Sequence, residues 1–306
     1  MTLFTREEVI AELKDSKSFH QAELSVINLE ALNLDKADFS EAYLRRANFS
    51  NTSCQGTDFS GAFLIFANLS NANLSQSKLC MAELNAADLD SLNIQESDAT
   101  KVNLFGAKLN KLEGSSAVLK KADLRAATGT FMNLNSANLS AAMLDGIDFS
   151  EVDLNNANLS KASGYAAKLR KIAGKRIELE KANFRGACFI DADLSGANLL
   201  AADFTGCHLI STNLQGAELL EVTLKQAKLE NVDLTNASLF AANLEGASLS
   251  QVNLTNSNLQ DANLENTIWE EVNFDNCNVM GAVFTNARGL TKEQTKWLHK
   301  NGALNV

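Results

Sequence analysis

Thiols, imidazoles and carboxylates are the groups in this chain that could do chemistry, and their spacing assembles none of the familiar reactive sets. The three histidines, His20, His208 and His299, are far apart and form no paired ligand motif. The five cysteines, Cys54, Cys80, Cys188, Cys207 and Cys277, include no CxxC pair of the kind that holds zinc or a redox disulfide. Reduced thiols are the expectation. No phosphate-cradling or dinucleotide-binding glycine pattern occurs. The chain therefore reads as non-enzymatic, with no cofactor and no metal expected. Many of its aspartates belong to a recurring consensus and do not converge on one site, so the element that positions them must be a repeat.

Every fifth residue from Phe19 to Phe284 marks the centre of that repeat: Leu24, Leu29, Leu34, Phe39 and onward, with no slip of phase. Two residues earlier the side chain is small, as at Ala37, Ala42 and Ala47, and Asn or Asp commonly lies between. A period of five fits neither the 3.6 of a helix nor the 2 of a long strand. It fits a square coil with five residues to a side and twenty to a turn. Centre and small residue, two apart in an extended segment, then point the same way, inward. A second period supports the square. Larger residues at the small position, among them Leu32, Leu92, Leu112, Met132, Val152 and Ile172, differ by multiples of twenty. In this frame Cys54, Cys207 and Cys277 face inward, Cys80 and Cys188 outward, and His208 takes an outward position. Proline is absent, where an average composition would supply roughly 5%. Almost every backbone N–H is therefore expected to serve a ladder.

The A-(D/N)-L-x-x pattern, as in Ala67-Asn68-Leu69-Ser70-Asn71, resembles the pentapeptide-repeat family. The resemblance spans about residues 19–287. It implies an all-β fold, a right-handed quadrilateral parallel β-helix with short capping helices at both ends. At ~4.8 Å per stacked strand such a coil would rise roughly 65 Å. Three segments are expected: an N-terminal capping helix in 1–18, the β-helix in 19–287 and a C-terminal capping helix in 288–306. Thr5 with Glu8, and Thr291 with Gln294, have capping-box spacing. Val9, Ile10 and Leu13 would form the apolar face of the first helix, Trp297 and Leu298 that of the second. Centres fall to Ala99, Gly114, Gly129, Gly164 and Gly174, so this middle stretch is expected to be loosely packed or repacked.

The net charge of −10 is unevenly spread. Residues 1–100 carry −8, 101–185 carry +6, 186–287 carry −11 and 288–306 carry +3. On the strand spacing, 186–287 presents about one net charge per ~2.2 Å, against one per ~1.7 Å of duplex DNA. The resemblance includes the quinolone-resistance members, DNA mimics that bind DNA gyrase, and implies for this chain a DNA-binding protein as partner of the acidic C-terminal third. The basic middle depends on Lys168, Arg170, Lys171, Lys175 and Arg176, a candidate basic patch.

Outward apolar residues supply the other candidate surfaces. Leu200, Leu220, Phe240 and Met280 fall in one column of twenty-residue steps, with Gln260 interrupting, and Tyr43, Phe63, Ile65 and Phe66 cluster on one side. Contiguous exposed apolar residues mark contact surfaces. The main reading is a non-catalytic protein-binding rod or scaffold, with Leu200, Leu220 and Phe240 meeting a protein partner or a second copy in a homodimer. The alternatives are a DNA mimic acting on gyrase, a topoisomerase or another DNA-binding protein, and an accessory or effector of a secretion system. No apolar run approaches a membrane span or a secretory leader, so no membrane partner and a cytoplasmic location are expected.

Overall fold

The computed structural model describes residues 4–15 and 17–306. They divide into two compact units, one ending at Ala157 and one running Asn158–Val306. Each is a parallel β-solenoid. In the first, bridges such as Ser18↔Asp38, Tyr43↔Phe63 and Asn48↔Asn68 advance by twenty residues; in the second, Asn198↔Glu218 and Glu218↔Ser238 do the same.

The five-residue pattern follows from where its five N–H groups go. The centre donates up the ladder, as Leu24 N–H does to Tyr43 O at 2.8 Å. The residue before it donates down, as Tyr43 N–H does to Ala22 O at 2.9 Å. The corner residue, two after the centre, also donates up: Val26 N–H to Arg45 O at 2.8 Å. The next small residue closes a turn, Ala37 N–H to Leu34 O at 3.1 Å, with the corner residue Lys36 at φ 61. A positive φ at that place is the signature of a type II turn. The fifth N–H, just after the centre, goes to the Asn or Asp side chain just before it, as Ser40 N–H does to Asp38 Oδ1 at 2.9 Å. Asn and Asp recur at this position because their short side chains accept from the backbone two residues on. Where Asn or Asp stands before the centre all five donors are engaged, and there proline would break a bond at any of the five.

On one side the extended stretch lengthens to three residues. The first unit holds β1 (Thr128–Thr130) and β2 (Asp148–Ser150), paired parallel. The second holds β3 (Lys168–Arg170), β4 (Cys188–Ile190), β5 (His208–Ile210), β6 (Lys228–Glu230), β7 (Ser248–Ser250) and β8 (Ile268–Glu270), each pairing parallel with the next. The column of larger residues, Met132, Val152, Ile172 and Val232, lies two residues past these strands and is buried.

The centres and small residues of both units form their cores. Full burial of each Leu or Phe contributes roughly 1.5–3 kcal/mol. Phe19, Phe39 and Phe59 stack at 4.8 and 5.3 Å between ring centroids, with Phe49 edge-on to two of them. The glycine centres are filled by neighbours. A Cβ on Gly114 would meet Leu112 and Leu134 at 3.0 Å, on Gly129 the Met132 sulfur at 2.6 Å, and on Gly174 Leu194 at 2.9 Å; on Gly164 it would collide with the Phe184 ring. Beside Ala99 an apolar void of about 20 Å³ remains among Leu79, Leu84, Leu104 and Leu119.

Each unit carries one helix. In α1 (Arg6–Asp15), Glu8 N–H donates to Thr5 Oγ1 and Thr5 N–H to Glu8 Oε2, a reciprocal capping box. Val9 is buried and Phe4 meets Phe19 edge-on at 6.0 Å, whereas Ile10 stays exposed. Arg6 fastens the helix by donating to Asn28 O and Glu30 O. In α2 (Lys292–Lys300), Thr291 and Gln294 form the second capping box, Leu298 is buried, and Gly302 leaves the helix at φ 88. The chain then rejoins the ladder, with Leu304 N–H donating to Ala282 O and Ala303 buried. This return segment was not foreseen from the repeat, because the step from Val283 to Leu304 is one residue out of phase.

Candidate interaction surfaces

One side of the first unit breaks the repeat's own rules on consecutive coils. Tyr43 and Phe63 occupy the Asn/Asp position, where they cannot accept from the N–H groups of Arg45 and Ile65. Their rings stack instead, 5.1 Å apart and nearly parallel. Tyr43 is 40% and Phe63 39% exposed. At the corner position of the same side stand Val26, 72% exposed at φ 64, and Phe66, 49% exposed at φ 61. A β-branched side chain is strained in this left-handed region, where glycine and asparagine fit best. Arg45 and Arg46 lie over the Phe66 ring, each at 5.9 Å from its centroid, and neither makes an ion pair among the described residues. Ile65 sits half-buried between the aromatic columns. Further up this side Arg125 lies 6.0 Å over Phe105, with its guanidinium paired to Asp123 at 2.6 Å.

In the second unit the register stacks Leu200, Leu220 and Phe240: Ala201 N–H donates to Leu220 O, and Glu221 N–H to Phe240 O. All three are half-buried; Met280, in the last coil, is 61% exposed. Ile190 and Ile210 are partners in β4 and β5 and are half-buried too. The basic residues are spread over two sides, with Lys168 and Arg170 on β3 and Lys175 and Arg176 beyond the next corner. Lys175 pairs with Asp193 at 3.4 Å, Arg185 with Asp203 at 3.3 Å and Lys181 with Glu180 at 2.8 Å. Lys168, Lys171 and Arg176 are also engaged with neighbours.

All five cysteines are free, and Cys54, Cys207 and Cys277 are buried. Burial pushes the Cys54 thiol up to about 12 and raises that of Cys207 as well. Partial burial and Asp98 raise Cys80. In the strand register Cys188 has Lys168 on one side and His208 on the other. Steps of twenty in the sequence contain this arrangement, and reading the thiol by its chain neighbours alone misses it. Among the described residues, no group of three or more His, Cys, Asp or Glu is placed to hold a metal ion, and no helix is long and apolar enough to cross a membrane.

A family model of pentapeptide repeats matches the chain in repeated copies over residues 19–64, 67–106, 133–163, 175–200, 187–224, 217–256 and 257–288. The gaps 107–132 and 164–174 contain the four glycine centres. Among solved structures, HetL, a pentapeptide repeat protein involved in heterocyst differentiation regulation in the cyanobacterium Nostoc sp. strain PCC 7120, is 26% identical over 92% of this chain and 97% of its own, with a TM-score of 0.31. QnrB1, a plasmid-mediated fluoroquinolone resistance protein, is 18% identical in a trypsin-treated form over 70% of this chain and 95% of its own, with a TM-score of 0.49. A pentapeptide repeat protein of the Arabidopsis thaliana thylakoid lumen is 34% identical over 38% of this chain and 77% of its own, with a TM-score of 0.21. No curated protein matches.

Proposed function

The chain belongs to the pentapeptide-repeat family, and from that premise we propose that it is a non-catalytic scaffold that binds a protein partner through the Tyr43–Phe63–Phe66 side of its first unit. The observation that carries this reading is the local departure from the repeat. Val26 and Phe66 put a β-branched and an aromatic side chain at the corner, whose left-handed conformation, shared by the other corners, costs such residues of order 1 kcal/mol or more, and Tyr43 and Phe63 replace a side chain that would cap a backbone donor. Departures from a local rule concentrate at functional or strained sites. The chemistry fits as well, since exposed Tyr and Arg on a rigid face are typical binding hot spots.

The test is affinity capture with the wild-type chain and with the Tyr43→Asn/Phe63→Asn/Phe66→Asn variant, whose new residues suit the repeat. The variant should retain its melting temperature and lose at least ~100-fold in affinity for the captured partner. Equal capture by both proteins would overturn the reading.

A second reading rests on charge. Residues 186–287 hold 13 acids and 2 bases, and on it this stretch acts as a decoy for a DNA-binding protein. Inhibition of gyrase supercoiling by the chain, reversed by neutralising Glu218, Glu221, Glu265 and Glu271, would favour it over the first.

A further inference from the structure

The second unit contains a groove that the repeat does not explain. It lies between the last coils and α2, has a volume of about 310 Å³ and is lined mainly by Val272, Phe274, Asp275, Glu293, Gln294 and Trp297. We propose that this groove binds an alkylammonium group, carried by a small quaternary ammonium or by a lysine side chain of another molecule. The site goes beyond the scaffold reading and stands without it.

The floor is apolar and aromatic. Phe274 and Val272 are buried, Trp297 is half-buried, and the Phe274 and Trp297 rings lie 6.4 Å apart with a tilt of 35°. The rim carries the carboxylates of Asp275 and Glu293, both exposed. Neither has an ion-pair partner among the described residues, although Lys292 and Lys296 belong to the same helix as Glu293. Aromatic faces attract cations through the ring quadrupole, and two carboxylates supply the countercharge. An anion would meet both negative groups at the rim, and a neutral apolar ligand would gain nothing from them. The stretch 186–287, at −11, outweighs the +3 of 288–306 and favours the approach of cations.

The walls are set before any ligand arrives. The Thr291–Gln294 capping box fixes the start of α2, and Gln294 Nε2 donates to Val272 O at 3.0 Å, tying the helix to the coil. The volume falls at the small end of ligand-binding clefts, the size for one headgroup or side-chain tip.

The chain has two tryptophans, which supply reporter and control. Trp269 is buried, with its indole N–H donated to Thr267 Oγ1 at 2.8 Å; Trp297 faces the groove. In a ¹⁵N–¹H spectrum of the full chain, choline and a capped Gly-Lys-Gly peptide should move the Trp297 indole signal saturably and leave that of Trp269 in place. The neutral isostere of choline, 3,3-dimethyl-1-butanol, should bind at least ~10-fold more weakly, and Asp275→Asn/Glu293→Gln should weaken choline by about tenfold. Tighter binding of choline than of the peptide assigns the site to a small quaternary ammonium, and the reverse order assigns it to lysine side chains. The absence of a saturable shift with either cation, or equal midpoints for choline and its isostere, overturns the proposal. If the double variant does not fold, the comparison of choline with its isostere on the native chain decides alone.

Discussion

The aromatic cluster of the first unit and the leucine column of the second are built on the same backbone, yet only the first is an open surface. Tyr43 and Phe63 stand just before the centre, and Val26 and Phe66 at the corner; all four are exposed. Leu200, Leu220 and Phe240 stand just after the centre, where neighbouring coils half-cover them. The difference teaches that one backbone can present an apolar column either open or half-covered, according to its place within the five and to what stacks above and below it. Phe105, Tyr165 and Met280 also stand just after the centre and are exposed, so that place covers a side chain only where the adjoining coils also carry bulky residues there.

Thiol labelling reads the same rule with the largest effect. With a thiol about three pH units less acidic than usual, Cys54 should be alkylated roughly 10³-fold more slowly than an ordinary exposed cysteine at neutral pH. Cys80 and Cys188, at outward positions and only half-buried, should label in the native protein ahead of Cys54. Rapid native labelling of Cys54, detected by peptide mass spectrometry, would break the positional rule.

Replacing Leu200, Leu220 and Phe240 together with Ser should lower stability by about 3 kcal/mol, roughly 1 kcal/mol per half-buried side chain. Denaturant melts measure the loss, and sedimentation of the folded variant should match that of the wild type. A changed sedimentation profile at native stability would instead make the column a contact between copies. The smallest effect is a gain. Val26→Asn should raise stability by about 1 kcal/mol, since Asn accepts a positive φ that Val resists. A loss of stability there would mean that Val26 is held by packing and not retained for its surface.

Most of the fold was legible because the repeat states it at every pentad. The centre column, the alternation of inward and outward residues, the stacking of Leu200 on Leu220 and both capping boxes follow from spacing alone. What the sequence did not display depends on distances between side chains. Gly164 reads as a missing core residue, yet the ring of Phe184, twenty residues later, occupies its space. Ile10 reads as part of a buried helix face and is exposed, since one turn of α1 suffices to seat Val9. The candidate surfaces were legible as lists of residues. Their ranking was not, because exposure at the corner, the strain of Val26 and the unpaired Arg45 and Arg46 emerge only from coordinates. The groove beside Trp297 was hidden for the same reason: Asp275 and Glu293 belong to different elements and share no period.

The central claim is that the partner meets the first unit at Tyr43, Phe63 and Phe66. Hydrogen–deuterium exchange of the chain, free and saturated with the captured partner, tests it most directly. Protection confined to peptides covering residues 24–27, 43–46 and 63–66 is the predicted result; protection over 198–242 with none at 43–66 would contradict it.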